Sequence, residues 1–261
     1  MRTVAIMNNK GGVGKTVTAI NLADILAREY HKRVLLVDCD GQCNLTRFYL
    51  GAGADDAPNT ATLLLGMGEP LWRDSTVAAA DNVLLLPASS ELYELDRAAL
   101  QDGVTRLRAL HDFVRAVEED GEVDYVVLDC PPGYTVASVS ALLACDEVVI
   151  PATVDAFALN GLADMRVQID GLRRTRGGVR IAGVLLTQWH NAQVVHDGEA
   201  LLRGMGVPVF STHIRRTDKV PESVFMGQPV SAYSPTSAAS ADYAAWVEEY
   251  LGEELGGDGQ V

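Results

Sequence analysis

The densest chemistry in this 261-residue chain lies at positions 9–17, Asn9-Lys10-Gly11-Gly12-Val13-Gly14-Lys15-Thr16-Val17. The string follows a short apolar run and opens a helical pattern. Glycines at such a turn let the backbone wrap an anion closely and aim its N–H groups inward, and the helix start adds the positive end of its dipole. Lys15 can neutralise phosphate oxygens there, and the Thr16 hydroxyl can ligate Mg²⁺. The string departs from the general G-x-x-x-x-G-K-[ST] form in having Asn9 first and a second lysine, Lys10, inside the loop. A Gly-rich turn with incidental lysines is the alternative, and eight ordered positions in this context argue against it.

Acids close two further apolar runs. Val34-Leu35-Leu36-Val37 ends in Asp38-Cys39-Asp40, and Tyr125-Val126-Val127-Leu128 ends in Asp129-Cys130-Pro131. An acid ending a parallel strand sits at the carboxyl edge of the sheet, where doubly wound folds bind ligands. One such Asp alone is more often a turn former; three ordered motifs together favour a site.

The elements that must position these groups alternate along the chain. β-branched runs predict strands over 3–7, 33–38, 82–87, 124–129, 147–151, 179–187 and 207–210. Amphipathic patterns predict helices over 15–30, 93–119, 134–145, 159–174, 192–204 and 237–251. Runs apolar on both faces mark central strands. The expected fold is α/β: one doubly wound domain, 1–252, with a mostly parallel central sheet between helices, followed by an acidic, frayed tail, 253–261.

The loop Lys10-Gly11-Gly12-Val13-Gly14-Lys15-Thr16 resembles the deviant Walker A motif of the ParA/MinD family of dimerising P-loop ATPases. Leu36 through Thr46 is similar to that family's switch I, D-x-D-P-Q-x-x-x-T, with Gly41 where the family has Pro. That exchange is expected to loosen the switch. Residues 126–133 resemble Walker B with switch II, and 151–162 the family's P-x-x-x-x-x-(Y/F)-A-L-x-G-L segment. Ile214-Arg215-Arg216 with Gly227-Gln228-Pro229 resembles its late loop beside the adenine, with Arg215 replacing the usual Pro.

The resemblance implies ATP/ADP and Mg²⁺ as cofactors. It implies nucleotide contacts from Lys10, Gly11, Gly12, Val13, Gly14, Lys15, Thr16, Val17, Asp38, Asp129 and Pro131, and metal contacts from Thr16, Asp40 and Asp129. Catalysis would fall to Lys10, reaching the nucleotide of a second subunit, to Lys15, and to Asp40, orienting the attacking water. Partners implied are a second copy in an ATP-dependent homodimer, a ParB-like stimulating protein and non-specific DNA.

Charge bears on the last of these. The chain carries 21 Lys and Arg against 35 Asp and Glu, net −14, and a uniformly acidic surface would repel DNA and anionic lipid. Positions 161–220, however, hold nine basic residues against five acids, net +4, densest at Arg173, Arg174, Arg176 and Arg180. On charge alone, a DNA face and a solvated helix end read equally well; the resemblance implies the DNA face.

The acidic final helix disfavours a membrane-bound role, and no signal-like or spanning run is expected. Four cysteines, Cys39, Cys43, Cys130 and Cys145, read as buried reduced thiols of a cytoplasmic protein rather than as disulfides or an iron–sulfur site. The expected function is an ATP-dependent dimerising switch that partitions plasmid, chromosome or other cargo. A DNA-independent regulatory ATPase is the main alternative, and an iron–sulfur carrier the lesser one.

Overall fold

The computed structural model describes residues 1–51, 58–66, 71–102, 107–176 and 178–257. In chain order its elements are β1 (Arg2–Ile6), α1 (Lys15–Arg28), β2 (Val34–Asp38), α2 (Asn44–Leu50), α3 (Thr60–Leu65), β3 (Val77–Ala80), β4 (Val83–Leu86), α4 (Leu92–Asp102), α5 (Ala109–Asp120) and β5 (Tyr125–Asp129). Then follow α6 (Val136–Ala144), β6 (Glu147–Ala152), α7 (Ala156–Arg176), β7 (Arg180–Trp189), α8 (Gln193–Arg203), β8 (Val209–Arg215), α9 (Lys219–Phe225), α10 (Val230–Tyr233) and α11 (Ala238–Gly257).

Eight strands form one sheet in the order β3-β4-β2-β5-β1-β6-β7-β8. Every neighbouring pair is parallel except β3 with β4. The doubly wound α/β fold is therefore as expected, with an antiparallel edge strand added. Strands β2 and β5 are buried along their whole length, as their two-sided apolar runs require.

One apolar layer packs α5, α6 and α7 on one face of the sheet, and the other packs α1 and α11 on the opposite face. Helix α5 buries Leu110, Phe113, Val114 and Val117 at helical spacing; α11 does the same with Tyr243, Trp246, Val247 and Tyr250.

Several boundaries differ from the sequence reading. The single helix expected over 93–119 is two helices, α4 and α5, with 103–106 outside the described residues. Strand β3 and helices α2, α3, α9 and α10 were not expected; each is seven residues or fewer, too short for periodicity to show. Helix α11 continues to Gly257, five residues into the expected tail, and 258–261 lie outside the described residues.

Candidate nucleotide site

Strand β1 lies between β5 and β6, so the loop that follows it emerges at the centre of the sheet's carboxyl edge. Gly12 (φ 73°) and Gly14 (φ 88°) adopt left-handed backbone, which lets the loop curl before α1 begins at Lys15. The start of α1 has no side-chain cap and no acid in its first turn, leaving its N–H groups available to an anion.

The end of β7 clamps this loop. Gln188 Nε2 donates to the Gly12 carbonyl at 2.8 Å, and Thr187 Oγ1 donates to the Val13 carbonyl at 2.8 Å. In a trans peptide the carbonyl and the next N–H point opposite ways, so holding these two carbonyls directs the Val13 and Gly14 N–H groups to the other side. Asn8 fixes the entry, accepting from Lys10 N (2.9 Å) and donating to the Pro151 carbonyl (2.7 Å). Lys15 Nζ donates to the Lys10 carbonyl at 3.0 Å. Lys10 itself turns outward, paired with Asp155 and 3.4 Å from Thr153 Oγ1.

Three carboxylates face this loop. Asp38 and Asp129 end adjacent strands and are register partners. Asp38 is fully buried and accepts from Thr46 N (2.9 Å), Thr46 Oγ1 (2.7 Å) and Asp40 N (3.1 Å). Burial nevertheless raises its pKa to about 6, against the pull of those bonds. Asp40, also buried, accepts from Gln42 N at 2.9 Å.

Asp129 is buried, and among the described residues no hydrogen bond reaches either oxygen. Burial and then the charge of Asp38 push its carboxyl well above the ordinary range. The Thr16 hydroxyl, nearby but short of hydrogen-bond geometry, and Lys15 oppose that shift. Burial likewise lowers the Lys15 pKa, against Asp129, Cys130 and Asp40.

An orphaned buried carboxylate beside a hydroxyl is a fit for a hard cation. Mg²⁺ takes one or two protein oxygens and fills its remaining positions from phosphates and water.

The structure thus brings Lys10, Gly11, Gly12, Val13, Gly14, Lys15, Thr16, Asp38, Asp40 and Asp129 to one edge of the sheet. Val17, partly buried, packs on the core face of α1, and Pro131 follows Asp129 in the next loop. Thr46, Thr153, Asp155, Thr187 and Gln188 were not singled out as site residues. Thr46 stood in the quoted switch motif, and the other four follow or end strands at the same edge, which was the available signal.

Position 41 holds a finding of its own. The space that glycine opens is taken by the Tyr93 ring, 3.0 Å from where a Cβ would stand. At 215, the Arg215 N–H donates to Asp242 at 2.9 Å and its guanidinium grips the same carboxylate, a backbone bond proline could not make. The four cysteines are buried, and burial pushes the thiols of Cys39 and Cys130 up.

Of the expected DNA-contacting arginines, Arg180 pairs with Glu147, its register partner, a carboxylate that also meets Arg2 and the Tyr250 hydroxyl. The side chains of Arg173, Arg174 and Arg176 lie outside the described residues. Among the described residues no helix is long and apolar enough to cross a membrane.

A clamped glycine loop at a helix start, a lysine inside it and strand-end carboxylates beside it define a P-loop nucleotide hydrolase. Residues 1–179 match the AAA_31 family, described as an AAA domain. The chromosome-partitioning ATPase Soj of Thermus thermophilus is 35% identical over 254 residues, covering 96% of each chain. The chromosome partitioning protein ParA of Caulobacter vibrioides is 35% identical over 266 residues, covering 97% of this chain and 95% of that one. The septum site-determining protein MinD of Pyrococcus horikoshii, solved with Mg-ADP, superposes with a TM-score of 0.76 at 25% identity, covering 98% and 97%. The chain belongs to the ParA/Soj family of ParA/MinD-type P-loop ATPases, which work with ATP and Mg²⁺.

Proposed function

We propose that this ATPase is a nucleotide-driven switch: ATP joins two copies face to face, the closed dimer binds DNA without sequence preference, and hydrolysis reopens it to partition a cargo. The observation that carries the reading is Lys10. Its side chain is 42% exposed at the mouth of the phosphate loop and, among the described residues, is held by groups of its own edge, Asp155 and Thr153. A partner subunit's γ-phosphate offers a stronger anionic target than that surface pair. Likeness over nearly the full chain to two chromosome-partitioning proteins supports the same reading.

In this account the N–H groups from Gly11 to Val17 and the Lys15 ammonium bind the phosphates, with Asp38 and Pro131 completing the nucleotide's surroundings. Thr16, Asp129 and Asp40 hold the Mg²⁺ side. The metal, when bound, supplies positive charge against the phosphate oxygens. Asp40 orients the attacking water, and Lys10 stabilises charge developing on the transferred phosphoryl group. Turnover is slow and is raised by a ParB-like partner. Arg173, Arg174 and Arg176 form the DNA face, with Arg180 on its margin since it serves Glu147. The protein acts in the cytoplasm, on the nucleoid when ATP-bound.

The test is DNA binding with ATP, ADP or no nucleotide, across a salt series. ATP-dependent binding that weakens steeply with salt is expected. An ATP dimer without DNA affinity at low salt replaces the partition reading with a DNA-independent switch, which the net charge of −14 favours.

A further inference from the structure

The first turn of α4 touches both acid-bearing loops of the site. Leu92 and Leu95 are buried in the core and anchor it. Asp96 Oδ1 accepts from Val136 N at 2.7 Å, capping the helix that follows Asp129 and its Pro-Pro-Gly loop. On its other side Tyr93, half exposed, reaches the Asp40-Gly41-Gln42 turn. Its ring edge lies 3.0–3.2 Å from the place a Gly41 Cβ would occupy, and its hydroxyl accepts from Gln42 Nε2. Gln42 N in turn donates to Asp40 Oδ1. A helix anchored by Leu92 and Leu95 thus touches the turn that carries Asp40 by ring packing, by a side-chain bond and, through Gln42, by a bond on the carboxylate itself.

We propose that Tyr93 is a positioning residue for ATP hydrolysis, bracing the Gly41–Gln42 turn so that Asp40 is held toward the water it orients. The inference rests on the role given to Asp40 above. Gly41 and Tyr93 are one device: a turn without a Cβ leaves the room the ring fills, and the ring supplies the stiffness that the backbone of glycine lacks. Tyr93 acts through the turn and touches no reacting atom. Its loss therefore lowers the rate of the chemical step and leaves ground-state nucleotide binding in place.

The experiment measures steady-state ATPase kcat and KM, and the Kd of a fluorescent ADP, for wild type, Tyr93→Ala, Tyr93→Phe, Gly41→Pro, Gly41→Pro with Tyr93→Ala, and Asp40→Ala. Tyr93→Ala is expected to lower kcat about tenfold with KM and Kd within about twofold. Tyr93→Phe, which keeps the ring and loses the Gln42 bond, should lower kcat about twofold to threefold.

Gly41→Pro should lower kcat in wild type, because its ring must push Tyr93 aside. In the Tyr93→Ala background it should raise kcat, because a fixed φ then replaces the lost brace. That reversal of sign is a readout that a merely structural role does not produce. A Tyr93→Ala kcat within twofold of wild type, or Gly41→Pro acting in one direction in both backgrounds, overturns the bracing. If Asp40→Ala hydrolyses ATP at the wild-type rate, the role of Asp40 falls instead, so the two failures are told apart.

Discussion

Asp129→Asn should make the nucleotide-free protein more stable while removing its response to Mg²⁺. Without metal, three buried carboxylates share the site with one buried ammonium, Lys15. Asp38 sets the scale of the cost. Three hydrogen bonds favour its charged form, yet burial still lifts its pKa from 3.8 to about 6, a gap worth about 3 kcal/mol at neutral pH. Asp129 is as deeply buried, and burial together with the Asp38 charge works against its ionised form in the same direction. The amide keeps the shape and can donate to Asp38, its register partner, and the Asp40 carboxylate still faces Lys15.

At roughly 2–4 °C per kcal/mol for a chain of this size, the expected gain in Tm is about 5–10 °C by calorimetry in EDTA at pH 7.5. An acid whose folded pKa is raised contributes stability that is complete below its unfolded pKa and is lost as pH rises through the folded one. The advantage of the variant should therefore shrink at pH 5. ATP should raise the Tm of both proteins, since the phosphate loop and Lys15 are unchanged, and the further rise on adding Mg²⁺ should be seen in wild type and not in the variant. A variant Tm at or below wild type at pH 7.5, or an advantage that grows on acidification, refutes the reasoning.

Lys15→Ala should abolish nucleotide binding by titration calorimetry, whereas Lys10→Ala should bind ATP and stay monomeric in light scattering; nucleotide-independent dimers in both proteins would sink the role of Lys10. Thr187→Val, which keeps the side-chain shape but removes the donor to the Val13 carbonyl, should weaken ADP binding about fivefold and lower Tm by a few degrees, and Thr187→Ser should restore both. Reversing charge at Arg173, Arg174 and Arg176 together should remove DNA retention in a filter assay and leave ATP-driven dimerisation intact. The same reversal at Arg180 should instead lower Tm, because it would leave Glu147 buried beside a like charge.

The sheet and the phosphate loop were legible because their signals are strong and local. Short β-branched runs apolar on both faces and ending in an acid point to central strands, and glycines before Lys15 have one economical explanation. Asp38 and Asp129 were readable as strand ends, but their pairing as neighbours depends on β5 inserting beside β2, a long-range fact of strand order. The clamp by Thr187 and Gln188 joins residues more than 170 positions apart, beyond the reach of any window. The Gly41 exchange was visible as a missing constraint, and only packing could show that Tyr93 occupies the space. Helix α3 escaped periodicity altogether, although its start carries a local signal in the capping box of Asn59 and Thr62.

Strand β8 closes one side of the sheet, and a bare strand there would be a template for adding a foreign strand. Glu249 of α11 stands guard: its carboxylate takes the Ser211 and Thr212 N–H groups at 2.6 and 2.8 Å. Burial works against its charge, yet those N–H bonds hold its pKa below the ordinary value, so the guard outlasts mild acidification. The acidity of this chain therefore has a local use. A carboxylate that occupies two backbone donors of the outer strand leaves that edge with fewer N–H groups to offer a foreign strand.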